Sequence, residues 1–193
     1  CSWTDHNSCF VGFQDIVNPY SWFNEPIEGE KYYMACDIGV IDDACVFTIG
    51  NEKGQVRYIH RFSNTNSVDI TDSILALDEK WKPQVLLVET NGVGLPIYRT
   101  LEDKHNMSNL IGHHLGSDKY EMLSDLQYSI AEKELEIPDY KQLILELEGF
   151  AMETQGYGSV KYTSPYKDDC VMSLAYYNMI HKKYRGYGSY DWA

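Results

Sequence analysis

Three short apolar stretches, YYMACD (32–37), ACVFTIG (44–50) and QVRYIHRF (55–62), follow one another with only turn formers between them, and then the period of the pattern changes. Gly39 and the IDD step separate the first two, and NEKG (51–54) separates the second from the third as a hairpin turn, so the spacing predicts an antiparallel meander. Residues 69–80 place Ile70, Ile74 and Leu77 at helical spacing, and Pro83 parts that helix from a fourth apolar run, VLLVE (85–89). A helix between a meander and a further strand implies a crossover rather than another hairpin, which makes the class α/β.

Beyond Glu89, NGVG and Pro96 form a turn, IYRTLEDKH (97–105) is predicted as a second helix, and NLIGHH (109–114) as a short strand. Leu123, Leu126 and Ile130 mark one face of a third helix. Leu143, Leu147 and Phe150 mark a fourth, with IPD (137–139) as the break between them. A last helix begins near Asp168 and turns Val171, Leu174 and Ala175 inward. At 193 residues and 44% hydrophobic content the chain can bury one sizeable core. Residues 1–30 are predicted as a lead-in that packs its aromatics on a domain spanning 31–183, and the Gly- and Tyr-rich residues 184–193 as a flexible tail.

Composition narrows the function classes. The formal charge of -13 argues against tight, unaided binding to a polyanion, because nucleic-acid affinity comes from neutralised phosphates and released counterions. Only residues 161–193 are mildly basic. The five cysteines show neither a regular disulfide pattern nor zinc-finger spacing, and a reduced intracellular chain is predicted. The opening residues show no secretory signal, and no apolar run approaches the roughly 20 residues needed to span a bilayer.

The chemistry concentrates in carboxylates. Asp37 and Glu89 each stand at the far end of an apolar strand, and the pair Asp168-Asp169 stands where the last helix should begin, so three distant segments can bring acids to one sheet edge. Each has an ordinary explanation as a turn residue, a solvated charge or a helix cap. Together they form a candidate metal site: Asp37 as the central ligand, Glu89 from the adjacent strand, Asp168 or Asp169 from the helix, and Asp43 within reach of the rim. Phosphodiester hydrolysis needs an activated water and neutralised oxygens, which two divalent ions roughly 4 Å apart provide. Oxygen ligands of this kind select Mg²⁺ or Mn²⁺. His113, His114 and Lys167 are candidate phosphate contacts, weighed against a solvated or capping role for the histidines and simple charge balance for the lysine.

YYMACDIGVIDDACVFTIG with Asp37 and Asp43, VLLVETNGVG with Glu89, LEIPDYKQLILELEGF and YKDDCVMSLAYY with Asp168 and Asp169 occur in this order over about residues 31–183. In order and spacing they resemble the C-terminal nuclease domain of the large terminase subunit of tailed bacteriophages. The resemblance implies an RNase H-like fold with a central mixed sheet of five or more strands flanked by helices, the fourth strand lying beside the first. It implies an endonuclease, acting with two Mg²⁺ or Mn²⁺ ions, that cuts concatemeric viral double-stranded DNA during packaging, with Asp37, Glu89, Asp168 and Asp169 as catalytic ligands. It further implies an ATPase domain in the same full-length protein, portal and small-subunit partners, and a place in the host cytoplasm at the procapsid portal. No Walker A loop occurs in these residues. A junction resolvase or integrase-like nuclease of the same broad fold, and a non-catalytic docking domain of the motor, are the competing readings.

Overall fold

The computed structural model describes residues 8–39, 43–63, 65–154 and 160–185. The meander forms as its pattern predicts, with β1 (Tyr32–Asp37), β2 (Ala44–Asn51) and β3 (Val56–Ser63) antiparallel in sequence. Helix α1 (Ser67–Trp81) then crosses over to β4 (Val85–Glu89), which pairs parallel to β1, and α2 (Gly94–His105) leads to β5 (Leu110–His113), parallel to β4. The sheet order is therefore β3-β2-β1-β4-β5. This mixed five-stranded sheet flanked by helices is the RNase H-like arrangement. Helix α1 begins two residues earlier than hydrophobic spacing alone indicates. The Asn66 side chain accepts the Val68 and Asp69 amides at 2.9 and 3.0 Å, and that cap sets the start.

The remaining elements are α3 (Lys119–Ala131), α4 (Lys141–Gly149), a hairpin of β6 (Ala151–Thr154) and β7 (Val160–Thr163), and α5 (Asp169–Tyr184). Strand side chains alternate between two separate cores. Met34, Cys36, Leu86 and Val88 face Ile70, Ile74, Ile97 and Leu101 of α1 and α2. Tyr33, Ala35, Val85 and Leu87 face α5 and, beyond it, α3 and α4. Because α5 lies between the sheet and a further helical layer, it is buried nearly all round, including Tyr176, Tyr177 and Ile180. The three inward positions that its sequence suggests are only part of what it buries.

The residues ahead of β1 are woven into this body. Phe10, Phe13 and Ile16 enter the α5-side core, and the Cys9 amide donates to the Phe150 carbonyl at 2.9 Å. Arg57 of β3 binds Glu30 at 2.8 Å in a nearly buried ion pair and lies over the Phe23 ring. Tyr184 and Arg185 close α5, and the Tyr184 carbonyl accepts the Tyr33 hydroxyl at 3.1 Å. The remaining tail positions, including Tyr187, Tyr190 and Trp192, lie outside the described residues, as does Asp42. Cys9, Cys36, Cys45 and Cys170 are free thiols. No helix among the described residues is long and apolar enough to cross a membrane.

Candidate functional site

Register and alternation bring Asp37 and Glu89 together. Cys36 is paired with Val88, so the next residues, Asp37 and Glu89, end adjacent parallel strands side by side. Asp37 and Glu89 alternate in step with Tyr33 and Ala35 and with Val85 and Leu87, and so stand on the sheet face that α5 covers. The first turn of α5 meets the same strand ends. Along its axis Asp168, Asp169, Met172 and Tyr176 recur at helical spacing and line one cleft of about 420 Å³ with Asp37, Asp43 and Glu89. All five carboxylates that the sequence singled out are thus in one cavity, accompanied by one lining cation, Lys119.

The turn beyond Glu89 is made possible by Gly94. A Cβ there would collide with the Glu89 carbonyl, so only glycine lets α2 start against the strand end. Gly94→Ala is expected to destabilise the fold by about 1–3 kcal/mol through forced displacement of that turn. Equilibrium denaturant unfolding would measure it, and an unchanged midpoint would contradict the packing argument.

The carboxylates divide into an inner pair and an outer set. Asp37 and Glu89 form the inner pair, side by side at the ends of adjacent parallel strands. Burial, then the charges of Glu89, Asp169 and Asp168, hold the Asp37 carboxyl well above the usual carboxylate range. Glu89, 9% exposed, is also raised, chiefly by burial. Asp169 is 6% exposed and is pushed up by burial and by the charge of Asp43, while its Oδ2 accepts the Ala44 amide and meets Arg61 at 3.4 Å each. The outer acids hold lysines: Asp168 binds Lys119 at 3.2 Å and Asp43 binds Lys167 at 2.8 Å.

That division bears directly on metal binding. Among the described residues no three His, Cys, Asp or Glu side chains stand ready in ligating geometry. Two of the five acids are turned to lysines. The donor set nonetheless suits a hard divalent cation: five carboxyl groups converge on one cavity that Lys119 alone of the described lysines lines. The Tyr176 hydroxyl points to the same conclusion, since it is buried beside these acids and has no hydrogen-bond partner among the described residues.

The candidate phosphate contacts separate. His113 packs its ring against Tyr176 at 5.5 Å between centroids, and its Nε2 lies 3.2 Å from Asp118. His114 lies close enough to Glu89 to favour that residue's charged form, as does Lys119. Lys167 balances Asp43 at the rim. Sequence reading met Lys119 only as one basic residue beside His113 and His114 in HHLGSDKYEML and gave it no contact, because an isolated lysine at the start of a helix carries no local signal. Nor did it find Glu146, a fully buried acid whose Oε2 accepts the Cys170 and Val171 amides at 2.7 and 3.1 Å and so caps α5. Asp168, at the position ahead of that helix, makes no side-chain cap.

No protein-family model and no curated protein matches this chain. Its fold matches solved structures of phage terminases. The large terminase nuclease of thermophilic phage G20c with bound magnesium aligns with a TM-score of 0.80 and 23% identity, over 91% of this chain and 98% of that one. The large terminase nuclease domain of Thermus phage P74-26 aligns with a TM-score of 0.79 and 22% identity, over 96% of this chain and 100% of that one. The large terminase of a further thermophilic bacteriophage aligns with a TM-score of 0.71 and 17% identity, over 90% of this chain and 44% of that one. At these identities the likeness is one of fold.

Proposed function

We propose that this chain is the nuclease domain of a large terminase subunit, a Mg²⁺- or Mn²⁺-dependent endonuclease that cuts concatemeric viral double-stranded DNA during genome packaging. One observation carries the reading: the ends of two adjacent parallel strands, the turn ahead of β2 and the start of α5 bring five carboxylates into one cleft, within a fold shared with large terminase nucleases, one of them described with bound magnesium. Asp37 and Glu89 would hold the cations from the sheet, Asp168 and Asp169 from the helix, and Asp43 from the rim. Two bound ions would supply an activated water and neutralise charge on the phosphodiester oxygens.

The chain's own residues do the rest. Asp168 must leave Lys119, and Asp43 must leave Lys167, before all five acids can serve as ligands. Lys119, once released, is the lining cation nearest to an incoming phosphate. Lys167 adds positive charge at the rim, His114 lies beside Glu89, and His113 braces the cleft through Tyr176. With a net charge of -13 the domain grips DNA weakly by itself. The ATPase domain of the full-length protein, the portal and the small subunit supply the grip, which assigns this chain to the host cytoplasm at the procapsid portal. Within it, residues 31–183 form the nuclease unit, 1–30 the approach from the motor, and 184–193 a tail.

Nicking and linearisation of supercoiled plasmid tests the reading. Cleavage is expected with Mg²⁺ or Mn²⁺, none with EDTA, and a loss on the order of 10²-fold or more in Glu89→Gln. Metal-independent cutting, or no cutting by the domain joined to its motor, would instead favour a non-catalytic docking role. Symmetric nicks confined to branched substrates would favour a junction resolvase.

A further inference from the structure

Helix α5 carries two adjacent buried tyrosines with opposite fates. Tyr177 is fully buried and its hydroxyl donates to the Asn51 carbonyl at 2.9 Å, its ring lying flat against Gly50, where any side chain would collide with it. Tyr176 is equally buried, yet its hydroxyl has no hydrogen-bond partner among the described residues. A buried hydroxyl left unpaired is costly, and such groups in folded proteins are nearly always satisfied by protein or by ordered water. The position of this one is specific. Tyr176 lines the acidic cleft two turns of α5 beyond Asp169, its ring is braced edge-on by His113, and the carboxylates of Glu89 and Asp37 are the strongest charges acting on its hydroxyl.

Resting on the metal-nuclease reading above, we propose that Tyr176 is a positioning residue of the cation site: its hydroxyl is kept free for an oxygen that enters the cleft with a divalent cation. A cation held by the carboxylates would bring a water oxygen next to a hydroxyl that is already desolvated and whose ring is held in place by its packing. Because the ordering cost of that ring is met during folding, the whole of the new hydrogen bond goes into cation affinity. Tyr177 faces the sheet and serves the fold alone.

The two tyrosines therefore make a paired test in the full chain. Mn²⁺ affinity would be measured by titration calorimetry and the melting temperature in EDTA by differential scanning calorimetry, for the wild type, Tyr176→Phe and Tyr177→Phe. Tyr176→Phe is expected to bind Mn²⁺ roughly threefold to tenfold more weakly while melting no lower than wild type in EDTA. Tyr177→Phe is expected to melt lower and bind Mn²⁺ as before. In plasmid cleavage, Tyr176→Phe should need more Mn²⁺ for half-maximal rate and reach the same plateau. Unchanged Mn²⁺ affinity in Tyr176→Phe, or a loss of metal-free stability like that of Tyr177→Phe, overturns the inference and leaves the nuclease reading standing. A wild type that binds no Mn²⁺ overturns both, and that failure is visible before any variant is compared.

Discussion

Replacing Asp37 by asparagine is expected to abolish divalent-cation-dependent cleavage and, in the same protein, to make the metal-free chain more stable. The two effects share one cause. Asp37 lies among Glu89, Asp169 and Asp168, and burial together with those charges holds its carboxyl well above the usual range. A carboxylate whose folded pKa exceeds its unfolded value contributes stability below the unfolded value, near pH 4, and loses that contribution as pH rises through the folded one. In EDTA the wild type should therefore melt at progressively lower temperature as pH rises from about 5 to 8. Asparagine is close to a permanently protonated aspartate: its amide can donate to Glu89 without titrating, so the decline should flatten. At neutral pH the variant is expected to melt above the wild type in EDTA. With Mn²⁺ present the sign reverses in the wild type, because the cation needs both inner acids deprotonated and stabilises the fold more as pH rises. The variant should lose that response along with cleavage, by a factor on the order of 10²–10⁴. Scanning calorimetry across pH with and without Mn²⁺ measures both halves. A variant less stable than wild type in EDTA at pH 8 would mean that Asp37 serves the fold rather than the site.

The parts of this arrangement that were legible in the sequence are those governed by local period. The meander, the crossover and the fourth strand follow from alternation and turn formers, and alternation further puts Asp37 and Glu89 on one sheet face. What was not legible depends on contacts between distant segments. The ordinary explanation of Asp168 as a helix cap does not describe its side chain, which turns to Lys119 some fifty residues away. Asn66 did carry a local signal, a capping residue before a periodic run, and hydrophobic spacing alone passed over it. The β6–β7 hairpin was missed because AMET and VKYT are too short and too mixed for a period to show. Tyr176 and Tyr177 are the clearest case: adjacent and chemically identical, they are told apart only by what the fold brings to each hydroxyl.

Glu146→Ala is expected to cost about 2–4 kcal/mol of stability and to weaken cation binding with it, although Glu146 touches no candidate ligand. This acid sits on α4 among LILELEG with no exposure to solvent, and its Oε2 takes the amides of Cys170 and Val171 while Gln142 donates to its other oxygen at 2.9 Å. The first amides of α5 have no partner within the helix, and no side chain from the preceding residue reaches them, so Glu146 is what satisfies them. Alanine would leave two buried donors unpaired and a cavity beside them. The first turn of α5 would then loosen, and Asp169 is in that turn, held to the sheet by long contacts with the Ala44 amide of β2 and Arg61 of β3. Charge is not the essential property, because burial pushes the Glu146 carboxyl up despite its donors. Glutamine keeps an acceptor oxygen and removes the buried charge, so Glu146→Gln should retain most of the stability and most of the Mn²⁺ affinity. Chemical denaturation and calorimetric titration of the two variants separate the possibilities. Equal losses in both would assign the effect to the negative charge at the helix start, whereas a large loss in alanine alone assigns it to the hydrogen bonds that fix where α5, and with it half of the acidic site, begins.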